Sequence, residues 1–325
     1  MIKLIENFPS NLSEGFDIAH SLVKINLSGI TNVVISGLGG SGIGGSILSN
    51  LVLSHCKYPV TINKSYKIPG FVSSGTLFIA CSYSGNTEET MSAVNQAFYK
   101  NARVIGVTSG GELQAFCESN SFPYTIVPGG LPPRAAFGYA FSQLLGIVAQ
   151  FEGSPNYLEQ LKGAVSLLNQ EQTNIKNEAI KIAEVLHETT PIIYCEDSLE
   201  GVAVRFRQQI NENAKMLCWH HVLPEMNHNE IVGWVNESHN HSVVFLKTSD
   251  ELKSNLPRFD YVEEIVNKYT TSVLTINAKG VNPLEKWLYL IHLTDFVSVY
   301  LSDLSGVDPV EVDVIENLKK RLKAI

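Results

Sequence analysis

Short apolar runs punctuate the chain, and most are followed by a polar turn and a stretch with helical spacing. Val33-Val-Ile-Ser-Gly precedes a group of glycines and a helical stretch from about Gly42 to Leu53. Thr76-Leu-Phe-Ile-Ala-Cys-Ser precedes a helix opening near Thr87, and Val104-Ile-Gly-Val-Thr precedes one from about Glu112. Tyr124-Thr-Ile-Val-Pro ends in glycines and prolines, and a longer helix runs from about Ala135 to Phe151. Runs this continuously apolar fit strands buried on both faces, because a solvated face would impose alternation. Alternation of such strands with helices predicts parallel sheets covered on both sides.

A polar break at Glu152-Gly-Ser-Pro-Asn separates this half from the next. Two polar, helix-compatible stretches then lead to the strand Pro191-Ile-Ile-Tyr-Cys and a helix over about Leu199–Asn213. The strand Val243-Val-Phe-Leu, a helix near Tyr261–Lys268 and the strand Ser272-Val-Leu-Thr-Ile follow. The apolar helix Trp287–Leu301 and a helix ending in Leu318-Lys-Lys-Arg-Leu close the chain. The strand order of the two halves agrees, which predicts a duplicated α/β fold: two doubly wound domains, 1–152 and 153–325, plus a C-terminal helix. Only the first copy keeps Gly/Ser/Thr-rich turns after its strands.

Composition narrows the function. Hydrophobic residues make up 44% and charged residues 17%, enough apolar material for packed cores. A net charge of −8 argues against nucleic acid, which calls for a basic face. The apolar runs stop short of the ~20 residues a membrane helix needs, and Met1-Ile-Lys-Leu-Ile-Glu-Asn-Phe-Pro is too polar for a signal peptide. Five cysteines without a C-x-x-C pair read as free thiols in a reducing cytoplasm.

The chemistry begins at the turns. Gly37-Leu-Gly-Gly-Ser-Gly-Ile-Gly-Gly follows a strand and opens a helix, so its N–H groups can approach an anion where the helix dipole is positive. Its G-x-G-x-x-G pattern invites a dinucleotide reading, but the next strand-like stretch ends near Lys64-Ser65 without the acidic residue that reading requires. For this segment alone, a tight turn without ligand remains open. Cys81-Ser-Tyr-Ser-Gly-Asn-Thr-Glu-Glu-Thr repeats the arrangement on the next strand, offering Ser82, Ser84 and Thr87 within one turn. Alone it reads as a helix capped by Thr87. Two such turns on successive parallel strands face one way, at the edge where open α/β sheets bind ligands. Gly40, Ser41, Ser82, Ser84 and Thr87 are therefore expected to hold a phosphate monoester. ATP would call for a P-loop lysine and a Mg²⁺ ligand.

Gly39-Gly-Ser-Gly and Ser82-Tyr-Ser-Gly-Asn-Thr-Glu-Glu-Thr resemble the signature of sugar-isomerase (SIS) domains. Pro132-Pro-Arg-Ala-Ala-Phe-Gly-Tyr, Asn211-Glu-Asn-Ala-Lys and Pro224-Glu-Met-Asn-His-Asn-Glu resemble the bifunctional phosphoglucose/phosphomannose isomerases over most of the chain. The resemblance implies two SIS domains and interconversion of glucose 6-phosphate, extending to mannose 6-phosphate, with fructose 6-phosphate through a cis-enediolate, without cofactor or metal. It implies Glu212 as the base, Arg134 as the enediolate partner, and His228 opening the sugar ring from the neighbouring subunit of a homodimer. Lys319 would assist ring opening, with Lys320 beside it competing for that assignment. The chain departs from the family at Asp308-Pro309-Val310, where members often carry Asp-Pro-Thr in a region tied to the mannose epimer.

Read without the resemblance, Glu212 is a solvated glutamate, His228 a loop histidine, and Arg134 and Lys319 solvated cations. Two other functions stay open. A metal enzyme would draw on His220, His221, His228, His239 and His241 with Glu225 and Glu230, although no H-E-x-x-H spacing occurs. A non-catalytic sugar-phosphate sensor would need an output segment, and no helix-turn-helix or basic segment is left over for one.

Overall fold

The computed structural model describes residues 1–22, 24–237 and 240–322. The chain opens with α1 (Ile2–Glu6) and α2 (Phe8–His20). β1 (Asn32–Ser36), α3 (Gly39–Val52), β2 (Val60–Asn63), β3 (Thr76–Cys81), α4 (Glu88–Tyr99), β4 (Arg103–Thr108), α5 (Gly111–Ser119) and β5 (Tyr124–Ile126) build the first sheet and its cover. Its order is β2-β1-β3-β4-β5, all parallel. α6 (Phe137–Val148) and α7 (Tyr157–Leu186) lead to the second half. There β6 (Thr190–Glu196), α8 (Glu200–Gln209), β7 (Trp219–Leu223), β8 (His241–Lys247), α9 (Leu256–Val266) and β9 (Val273–Asn277) give a parallel sheet of order β7-β6-β8-β9. α10 (Pro283–Leu304) and α11 (Asp313–Leu322) end the described chain.

The side-chain period of two divides each sheet between two cores. Val33, Ile35, Leu77, Ile79 and Ile105 join one large cluster, while Val34, Phe78, Ala80 and Val104 pack under α4 and α5. In the second sheet Ile193, Cys195, Val244 and Leu246 join the same large cluster, and Ile192, Tyr194 and Phe245 pack with Phe259 and Val262 of α9. One apolar layer thus lies between the two sheets, with α10 inside it, and the expected duplication is present as strand order: β2-β1-β3-β4 corresponds to β7-β6-β8-β9.

Two expectations are corrected. The polar stretches after residue 156 form one unbroken helix, α7, of 30 residues. Its buried stripe runs Leu161, Ala164, Leu168 and resumes at Ile175, and the gap is bridged by polar contacts: Gln172 donates to the Glu6 carbonyl at 2.9 Å, and Lys279 pairs with Glu171 at 2.6 Å. The helix after the first glycine turn begins at Gly39 rather than Gly42, so Gly40 and Ser41 lie inside its first turn.

Candidate active site

The glycine turn and the serine turn meet at the carboxyl ends of adjacent strands, β1 and β3. The Ser41 hydroxyl accepts a hydrogen bond from the Tyr83 N–H at 3.0 Å, which locks the two turns together. Ser82 is buried, and its hydroxyl lies 2.9 Å from that of Thr87. Thr87 occupies the cap position of α4 but makes no side-chain cap bond. Ser84 is exposed, and its hydroxyl accepts from the Asn86 N–H at 3.2 Å. Gly85 has φ +71° and lies so close to the Gly110 carbonyl that a β-carbon would sit 1.8 Å from that oxygen, so only glycine fits. The result is a rigid nest of hydroxyls and helix-start N–H groups suited to an anion.

Gly40 carries this nest to the second set of groups. A β-carbon there would sit 2.8 Å from the Pro133 carbonyl carbon and 2.9 Å from the Arg134 nitrogen. Arg134 therefore leaves the backbone directly beside the anion turn. Its guanidinium is 4% exposed and makes three bonds. Nε donates to Asn213 Oδ1 at 2.8 Å, Nη1 to Glu212 Oε2 at 3.2 Å, and Nη2 to the Pro309 carbonyl. Burial pulls its pKa down, opposed by the Glu212 carboxylate.

Glu212 reaches this arginine from the other half. α8 packs on α3, with Gly201 against Ile47 and the Asn50 Oδ1 accepting from the Gly201 N–H at 3.1 Å. The helix that begins at the anion turn thus supports the one that leads to Glu212. α8 runs into a π-helical turn, Ile210–Ala214, closed by Lys215 in the left-handed region at φ 58°. Such a turn adds a residue to the helix and re-aims the side chains after it. Here it directs Asn213 inward and leaves the Glu212 side chain 29% exposed beside Arg134. Lys215 Nζ donates to the carbonyls of Glu212 and Glu311, both at 2.7 Å, and so clasps the segment before α11. Asn211, Glu212, Lys215, Glu311, Val312, Val314 and Ile315 line a cavity of about 350 Å³.

Beneath the pair lies a buried polar network. Arg205 stacks on Phe137 at 4.2 Å, donates to the Arg134 carbonyl at 3.2 Å and pairs with Asp295 at 2.6 Å. Burial pushes the Asp295 carboxyl upward, and Arg205 opposes it. Asn213 Nδ2 donates to the Ser298 hydroxyl at 2.9 Å, and that hydroxyl donates to the Asp295 carbonyl at 2.7 Å. Asn213 stood in the Asn211-Glu-Asn-Ala-Lys motif with no role assigned, and sequence reasoning missed Arg205, Asp295 and Ser298. Asp295 and Ser298 are polar positions in a mostly apolar helix, but so are His292 and Thr294, so polarity alone did not single them out.

Arg134 and Glu212 are thus brought together, and Gly40 and Ser41 lie beside them. His228 is not joined to them within the chain: it ends a short 3₁₀ turn after β7, is exposed, and bonds neither Arg134 nor Glu212. Lys319 is exposed on α11, no residue of which is buried. The other histidines have separate surroundings. His220 lies 3.1 Å from Arg207, its pKa lowered by burial and then by that cation, while His221 accepts from the Val222 N–H and His241 faces Trp219. His239 lies outside the described residues. Among the described residues no group of three His, Cys, Asp or Glu could hold a metal ion.

A bifunctional phosphoglucose/phosphomannose isomerase of Caldicellulosiruptor bescii is 37% identical over 339 residues, which cover 100% of this chain and 99% of the relative. The chain belongs to that family. Residues 175–322 match the family described as the bacterial phospho-glucose isomerase C-terminal SIS domain. A D-glucosamine-6-phosphate 4-epimerase of Sulfolobus acidocaldarius is 32% identical over 288 residues, covering 88% of this chain and 87% of that one. Among solved structures, the C-terminal domain of glucosamine-fructose-6-phosphate aminotransferase from Francisella tularensis superposes with a TM-score of 0.81 over 96% of this chain and 98% of that one. At 15% identity it speaks for the fold alone. No helix of the described residues is long and apolar enough to cross a membrane.

Proposed function

We propose that the chain is an aldose–ketose isomerase that interconverts glucose 6-phosphate with fructose 6-phosphate, and mannose 6-phosphate with the same ketose. The observation that carries the reading is the Arg134–Glu212 pair, assembled from the two halves of the chain beside the Gly40–Ser41 turn. Moving a proton between C1 and C2 needs a base, and a cation where enediolate charge develops. Glu212 supplies the first: it removes the C2 proton of the open aldose and returns it to C1, while the O2 hydroxyl proton passes to O1 and completes the ketose. Arg134 supplies the second, and its buried guanidinium stays charged throughout. Gly40, Ser41, Ser82, Ser84 and Thr87 hold the phosphate.

The ring must open first. His228 is proposed to do this from the partner subunit of a homodimer, with Lys319 assisting, which accords with the exposure of both side chains in a single chain. Residues 1–152 and 153–325 are proposed as the two SIS domains, working without cofactor in the cytoplasm.

The test is a side-by-side rate measurement on glucose 6-phosphate and mannose 6-phosphate with chelator present. Both should turn over, and Glu212→Gln should lower kcat on the order of 10³-fold with folding intact. Full turnover by Glu212→Gln removes the base assignment. Binding without turnover by the unaltered chain replaces the enzyme with a sensor.

A further inference from the structure

We infer that Asn213 and Ser298 are positioning residues that hold the Arg134 guanidinium in register for proton transfer, an inference that rests on the isomerase reading above. The argument is one of polarity. The Asp295 carbonyl can only accept, so the Ser298 hydroxyl at 2.7 Å spends its proton there. Its lone pairs then face Asn213, whose Nδ2 donates at 2.9 Å. That fixes the amide orientation and leaves Oδ1 toward Arg134 Nε at 2.8 Å. Each hydrogen bond in this series therefore runs in one direction, and both Asn213 and Ser298 are fully buried.

The choice of a neutral amide matters as much as its position. An arginine has five N–H groups, and the bonds to Asn213, Glu212 and Pro309 use three of them. A carboxylate at position 213 would reach Nε equally well but would neutralise the charge that stabilises an enediolate. Asn213 orients the arginine without discharging it, so the full positive charge acts on Glu212 and on the substrate.

The experiment starts from the unaltered chain and Glu212→Gln, whose turnover and loss of turnover establish the isomerase reading separately. Asn213→Asp should then lower kcat about tenfold or more with KM within about threefold. It should also move the acid limb of the kcat/KM profile to higher pH, because the added carboxylate weakens Arg134's hold on the Glu212 charge. A purely structural asparagine would lower thermal stability and leave kcat and KM of the folded variant unchanged. Ser298→Ala, a smaller change at a helix position, guards against misfolding of the first variant and should lower kcat about threefold at unchanged KM. An unshifted acid limb in folded Asn213→Asp, or full kcat in Ser298→Ala, overturns the inference.

Discussion

The carboxyl edges of the two sheets share a topology and treat anions in opposite ways. At the first, the turns after β1 and β3 present hydroxyls and helix-start N–H groups, and no carboxylate accepts from Ser41, Ser82 or Thr87 among the described residues. At the second, β6 ends in Glu196, which is 7% exposed. Its Oε1 accepts from the Leu252 N–H at 2.9 Å and the Asn255 amide at 2.7 Å, and the Ser198 hydroxyl donates to Oε2 at 3.2 Å. Glu251 in turn accepts from the N–H and hydroxyl of Thr248. The second edge satisfies its donors with the chain's own carboxylates. A duplicated fold can therefore repeat its topology and fill the donors of only one copy with its own carboxylates.

The largest effect should come from making the first edge resemble the second. Ser84→Glu places a carboxylate at the Asn86 N–H that Ser84 now serves. Like-charge repulsion at this partly solvated site should raise KM for a sugar phosphate about tenfold or more at nearly constant kcat. An unchanged KM would locate the phosphate elsewhere. The converse change, Glu196→Ala, strips the Leu252 N–H and Asn255 amide of their acceptor and should cost about 1–3 kcal/mol, read as a lower Tm. Inorganic phosphate should restore more of that loss than it adds to the unaltered chain. Equal phosphate effects in the two proteins would show that the edges are not equivalent.

A third effect concerns neither edge but the helix between the sheets. His292 of α10 is fully buried against Phe8 and Phe296, and burial pulls its pKa down to about 3. The unfolded chain takes up this proton near pH 6.5 and the folded chain does not, so stability is full above pH 6.5 and falls as pH drops from there toward 3. The loss is at most about 1.4 kcal/mol per pH unit. His292→Leu should flatten the dependence of Tm on pH between 6.5 and 5, and an unchanged slope would assign the acid sensitivity to other groups.

Legibility followed the range of the interactions. β1, β3, β4, β6 and β8 could be read from local runs because each is buried on both faces. β7 escaped because two adjacent histidines break the apolar run of Trp-His-His-Val-Leu. The two N-terminal helices escaped as well, since Pro9 and the polar positions around it mask an apolar stripe of Phe8, Leu12 and Ala19. At the site, the anion turns were visible because the glycines and hydroxyls that make them are neighbours in sequence. Arg134 and Glu212 were singled out by resemblance alone, and the network beneath them stayed hidden. Arg134 is 79 positions from Asn213, and Arg205 is 90 from Asp295, and no local pattern encodes such pairings.

α10 also bears on how the chain is made. It is buried almost all round, and the large apolar cluster that it completes contains residues as early as Ile5. A protein emerging from its N-terminus displays α2, α6 and α7 long before this last wall exists. At ordinary synthesis rates, the interval between finishing α7 and finishing α10 is on the order of ten seconds. During that time the faces of α1 and α7 that α10 will cover lie open. The window for aggregation or chaperone capture is thus set by where the shared helix falls in the reading frame, and by neither sheet.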